Sequence, residues 1–193
     1  MSDACVAGRP KVTKYSAQPI DMYTTMDLSQ ALISAHSRSN RDRIVAYVNN
    51  DPVKFAVLFH CFKSKEAKIS QRAAWSLSYC VEKFPELVIP YFGEMVELLK
   101  KEGIHDGIKR NILRTFQYTE IPYEQEGELL ELCFAYLIDR KEAVAIRVFA
   151  MQVLANLAKK YPEIKNELNV LIEDELPYAK PAFVSRGRKI LAG

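Results

Sequence analysis

The sequence predicts an all-α chain of repeated helical hairpins, and three observations carry that prediction. Glycine is scarce, 7 in 193 residues, and after residue 26 the apolar residues recur at helical rather than alternating spacing. Pro52, Pro85, Pro122 and Pro162 each open an apolar-periodic segment, at intervals of 33, 37 and 40 residues. There a missing N–H costs nothing and a fixed φ suits the first helical turn. A second marker keeps the same period: a small or apolar residue four positions before a large one, in Ala73/Leu77, Ile112/Phe116, Ala150/Leu154 and Gly187/Leu191, spaced by 39, 38 and 37 residues. Two markers with one hairpin-length period define an internal repeat.

Residues 1–25 read as a flexible arm. Asp3, Arg9 and Pro10 interrupt it, and it lacks the apolar core of a secretory signal. Residues 26–50 fit a capping helix or helix pair. Helices are expected at 52–63 and 66–83, 85–102 and 105–120, 123–140 and 142–160, and 162–176 and 181–192. These group into repeats 51–83, 84–120, 121–160 and 161–193 of a single domain over 26–193. Val88, Phe92, Met95, Val96 and Leu99 form one buried stripe, and Ile146, Ala150, Val153, Leu154 and Leu157 another. A lone hairpin cannot bury such a stripe, so neighbours must stack into a continuous core, a solenoid.

Composition narrows the function classes. An apolar fraction of 49% excludes wholesale disorder, and the net charge of +3 gives no global argument for a nucleic-acid or membrane partner. The longest uncharged apolar run, Leu132 to Ile138, is a third of the roughly 18–20 residues that span a bilayer. Cys5, Cys61, Cys80 and Cys133 form no CxxC pair, which favours a reducing, cytoplasmic setting.

Ala145-Ile146-Arg147-Val148-Phe149-Ala150-Met151-Gln152-Val153-Leu154 resembles the second helix of a HEAT repeat: an apolar residue, an arginine, then Ala and Leu three and seven positions on. Pro90 is similar to the kinking proline of a HEAT first helix. The resemblance covers about 52–193 and implies a right-handed α-α superhelix of four to five hairpins, with first helices on the convex side and second helices on the concave side. The arginine position is Ser70, Lys109 and Val184 in the other hairpins. The aspartate six residues earlier is replaced by Ser64, Gly103, Lys141 and Tyr178, so the family's Asp–Arg ladder is not expected.

On that mapping the charges separate. The first helices carry −2 over 85–102, −4 over 123–140 and −4 over 162–176; the second carry +2 over 65–83, +1 over 105–120, +3 over 141–161 and +4 over 178–193. This is either mutual attraction between solvated helices or the footprint of an anionic partner. Positions two and six after each repeat's Ala-type position fall on the open face. They give one ridge of Trp75, Arg114, Gln152 and Lys189, and another of Tyr79, Tyr118 and Asn156, with Gln71 and Arg110 one turn earlier. Aromatics among cations and amides suit a protein or peptide partner, and equally bases and phosphates. A structural alternative packs Trp75 against the preceding hairpin.

No catalytic motif is found. His36, His60 and His105 have no His or Cys at i+3 or i+4 to pair for a metal. Phosphate-loop, HExxH and GxSxG patterns are absent, and no cofactor is expected. Glu124, Glu126, Glu128 and Glu131 read as helix-stabilising acids near a helix start. The sequence therefore points to a non-enzymatic interaction module with a protein or peptide on its concave face. The alternative is nucleic-acid binding. One family of DNA-repair glycosylases is similar in being a small HEAT-like array that cradles DNA, with an aromatic cleft and a carboxylate for which Trp75, Tyr79 and Asp106 are the counterparts here.

Overall fold

The free N–H groups of a first turn need acceptors, and short polar side chains supply them at the start of the chain's helical part. The computed structural model describes residues 26–193. Its helices are α1 (Leu28–Ser34), α2 (Arg38–Val48), α3 (Pro52–Phe62), α4 (Ala67–Lys83), α5 (Phe92–Leu99), α6 (Asp106–Phe116), α7 (Tyr123–Ile138), α8 (Val144–Leu157), α9 (Pro162–Glu175) and α10 (Pro181–Leu191). There is no strand among the described residues. Asp27, Ser37 and Asp51 cap α1, α2 and α3 by accepting from backbone N–H groups two or three residues on. His105 Nδ1 accepts from the Gly107 N–H at 2.9 Å, which makes this histidine the cap of α6.

The segment expected as one helix over 85–102 is two pieces, a 3-10 helix at Pro85–Tyr91 followed by α5. Pro90 has no N–H to donate and its ring blocks a continuous α-helical ladder. Residues 28–48 form the pair α1 and α2. The arm expected over 1–25 lies outside the described residues.

The even-numbered helices form one row, with α2 packed on α4, α4 on α6, α6 on α8 and α8 on α10. The odd-numbered helices pack on their hairpin partners and touch one another more sparsely, α1 on α3 and α5 on α7. Ala73, Ile112 and Ala150 are wholly buried at the seams of the row. At the matching position of α10, a Cβ on Gly187 would come within 2.8 Å of the Ile172 side chain, so only glycine lets α10 lie this close to α9. Phe92 and Phe116 stack at 4.1 Å between centroids inside the core. Fully burying a side chain of this kind contributes on the order of 1.5–3 kcal/mol.

Cys61, Cys80 and Cys133 are buried free thiols. Burial pushes Cys80 up to about 12 against the opposing pull of Lys83, and it pushes Cys133 up as well. Both therefore stay protonated and inert at neutral pH. Among the described residues no helix is long and apolar enough to cross a membrane.

Repeat boundaries are joined by ion pairs that the sequence positions did not foretell. Lys109, at the arginine position of its hairpin, pairs with Glu142 of the next one. Arg147 pairs with Glu175 at 2.6 Å and donates from Nε to the Leu137 carbonyl. An acid–base ladder thus exists, differing from the sequence expectation because its carboxylates come from other positions. Burial raises the Glu175 carboxyl, but hydrogen bonds from Arg147 and Arg140 outweigh it and hold the group below the usual range. Glu126 is likewise more than a first-turn acid. It is buried in α7 and accepts from Lys160 Nζ at 2.7 Å and Tyr161 Oη at 2.5 Å, and these bonds lower its pKa.

Candidate functional interface

Along α4 the residues that retain solvent access are mainly Lys68, Gln71, Arg72, Trp75, Tyr79, Glu82 and Lys83. Helical spacing places most of them on one stripe, opposite the buried seam of Ala73, Leu77 and Cys80. The corresponding stripes carry Arg110 and Arg114 on α6, Tyr118 just beyond it, Gln152 and Asn156 on α8, and Lys189 on α10. Arg110, Tyr118 and Lys189 are exposed, whereas Gln71, Trp75, Tyr79, Arg114, Gln152 and Asn156 are half-buried.

The aromatic end is held by arginines. Arg41 Cζ lies 3.7 Å and Arg114 Cζ 4.0 Å from the Tyr79 ring centroid. Both guanidiniums therefore lie in cation–π range of the one ring. Arg41 also sits 4.9 Å from the Trp75 ring, and His36 packs 5.0 Å from the same indole. Trp75 is thereby partly covered by the preceding helix pair. Each guanidinium has its own carboxylate: Arg41 pairs with Asp42 at 2.7 Å and Arg114 with Glu82 at 2.5 Å. Arg114 also donates to the Ser78 carbonyl at 3.0 Å and reaches the Tyr118 ring at 5.3 Å. Burial raises the Tyr118 hydroxyl above its ordinary value. Asp106, the carboxylate singled out for an aromatic cleft, is exposed in the first turn of α6, while the direct neighbours of Trp75 and Tyr79 include the cations Arg41 and Arg114.

The opposite end is a cleft where α8, α9 and α10 meet, with a volume of about 540 Å³. Gln152 lies at its wall and accepts from Arg186 at 2.5 Å, while its amide donates to Asn156 at 3.0 Å. Lys189 is on the α10 side. Among the described residues no group of three His, Cys, Asp or Glu side chains is placed to hold a metal ion.

The repeated hairpins, their shared period and the row of second helices find a match in a family model described as a HEAT repeat domain, over residues 28–193. The chain belongs to the HEAT repeat domain family. Comparison with curated proteins and with solved structures gives no match.

Within this HEAT repeat domain, several polar side chains of the row reach back to the hairpin before. Arg72 donates to the Leu32 and Ile33 carbonyls, Arg114 to Ser78, Asn156 to the Gln117 carbonyl and Arg186 to Gln152. Three of the nine sequence-selected residues, Arg114, Gln152 and Asn156, are members of these clasps. Arg41 and His36 were missed because they precede the repeat register. Lys159 and Lys165 were missed because no ridge position contains them. Their only sequence signal is the excess of cations toward the carboxyl end.

Proposed function

We propose that the HEAT repeat domain is a non-enzymatic, cytoplasmic interaction scaffold, and that its even-numbered row is the concave side of a right-handed superhelix that receives a protein or peptide partner. The tighter packing within that row than among the odd-numbered helices supports the direction of curvature. The family supplies the general role, a helical scaffold often used in protein interaction. The observation that carries the reading is that Arg110 and Lys189 are exposed on this row and unpaired among the described residues. Exposed cations without a carboxylate of their own are available to the acidic groups of a partner. The Tyr79 ring is already contacted by two guanidiniums, which argues against the base-stacking role that nucleic-acid binding would ask of it.

Affinity capture with the wild type and an Arg110→Ala/Lys189→Ala variant, alongside titration of a labelled duplex at rising salt, tests this. One or a few proteins lost from the variant capture is the expected result. Identical captures, together with duplex binding that weakens steeply with salt and vanishes in the variant, would replace this reading with nucleic-acid binding.

A further inference from the structure

Several lysine and arginine side chains that pack within or between hairpins are neutralised by a carboxylate, as Lys109, Arg114, Arg147 and Lys160 are. The cleft between α8, α9 and α10 departs from that pattern. Lys159, Lys165, Arg186 and Lys189 line it, no Asp or Glu does, and none of the four is in an ion pair among the described residues. Four like charges around one concavity repel one another and raise the local concentration of anions. The volume of about 540 Å³ lies in the ~300–1,000 Å³ range of ligand sites.

Three further features describe what would fill it. Ala155, Leu168 and Ile190 give the cleft an aliphatic patch, and no aromatic side chain lines it. Asn169 is in its wall, and the Oδ1 of that side chain is shut off from solvent without a hydrogen-bond partner. An unpaired buried acceptor of this kind costs ~1–3 kcal/mol, and it gains a donor by turning toward a bound N–H. Residues 1–25 carry three basic and two acidic side chains, so the chain's own leading segment lacks the charge to fill a cationic cleft.

We propose that this cleft docks an acidic peptide segment of a partner protein, with its carboxylates on Lys159, Lys165, Arg186 and Lys189 and one aliphatic side chain on Ala155, Leu168 and Ile190. The proposal rests on the scaffold reading above and places the anchoring point at one end of the row. A peptide satisfies all three features together: carboxylates for the cations, a side chain for the apolar patch and backbone N–H groups for Asn169. Inorganic phosphates bring no apolar group and no N–H. A single-stranded nucleic acid finds no ring to stack on.

Fluorescence anisotropy with a labelled peptide of alternating Asp and Glu around a central Leu tests the proposal on the full chain. An isosteric Asn/Gln peptide, an oligothymidylate of equal charge and sodium triphosphate are the comparison ligands. The acidic peptide is expected to bind, the Asn/Gln peptide to bind at least ~10-fold more weakly, and Lys159→Glu/Lys165→Glu to weaken the acidic peptide by ~10-fold or more. Arg110→Glu, on the middle of the row, should change its affinity less than ~3-fold. Amide resonances of Ala155, Asn169 and Ile190 should shift on titration, including the Asn169 side-chain amide. The proposal is overturned if the oligothymidylate or triphosphate binds as well as the peptide. It is also overturned if the double reversal leaves peptide affinity intact, or if the chain forms a concentration-dependent dimer that the reversal abolishes. Loss of peptide binding in Arg110→Glu alone would move the site to the middle of the row and leave the scaffold reading standing. No peptide binding with Arg110-dependent capture does the same, whereas no peptide binding with identical captures removes both.

Discussion

The two ends of the even-numbered row use cations in opposite ways. Around α2, α4 and α6, Arg41 and Arg114 enclose Tyr79, and each meets a carboxylate, Asp42 or Glu82. Around α8, α9 and α10, three lysines and Arg186 surround a cleft lined by no Asp or Glu side chain. The residue type is the same, and the two ends differ in whether a carboxylate pairs with it. Where Glu82 is present, Arg114 becomes a clasp between hairpins; where none is, Lys189 stays available to solvent and ligands. Positive charge at one end thus contributes stability, and at the other it is left for binding.

Removing Arg114 should break this contrast most visibly. Arg114→Ala deletes the donors to Ser78, the pair with Glu82 and a cation–π contact with Tyr79, and is expected to lower stability by about 2–4 kcal/mol in urea unfolding. A loss below ~0.5 kcal/mol would show that the clasped end is no different from ordinary surface. Tyr79→Leu keeps bulk but removes two cation–π contacts, and about 1–2 kcal/mol should go with it, read from the same urea curves.

Acid sharpens the contrast by another route. Glu126 and Glu175 are held below their ordinary values in the folded chain, so the unfolded state binds more protons. Their stabilisation is full above the unfolded glutamate value of about 4.3 and is lost as pH falls through the lower folded values. Unfolding midpoints followed down through that range should drop, and Glu126→Gln should flatten the drop. The cleft is lined by no Asp or Glu side chain. The smallest effect belongs to Lys159→Ala/Lys165→Ala/Lys189→Ala, whose thermal and urea stability should stay within ~0.5 kcal/mol of wild type while acidic-peptide binding is lost.

Helices were legible in the sequence because burial imposes a period: Ala73, Ile112, Ala150 and Gly187 share one register and are all buried. Pro90 was legible as a kink within one helix over 85–102, whereas the structure has seven residues of 3-10 helix followed by a separate α-helix. Contacts between hairpins were not legible. Whether Arg114 projects to solvent or folds back on Ser78 depends on the spacing of α4 and α6, which no local pattern encodes. Lys159 and Lys165 were hidden for a related reason, since a cleft formed by three helices gathers residues that share no periodic position. The missing aspartates at 64, 103, 141 and 178 were read as a missing ladder. Glu142 and Glu175 fill that role from neighbouring positions.

The backward direction of the clasps gives the array a polarity in time. Arg72, Arg114, Asn156 and Arg186 are donors, and their acceptors lie earlier in the chain. During synthesis each acceptor is made before its donor, and a carbonyl waiting in water is satisfied there. A later hairpin then docks on a surface that is already complete. Shortening the array from its carboxyl side leaves such carbonyls to water but parts Lys109 from Glu142 or Arg147 from Glu175, whereas shortening it from the amino side strands a guanidinium or amide that has lost its seat. The clasps thus point back along the chain while the pairs of Lys109 and Arg147 point forward, and each hairpin is held from both sides.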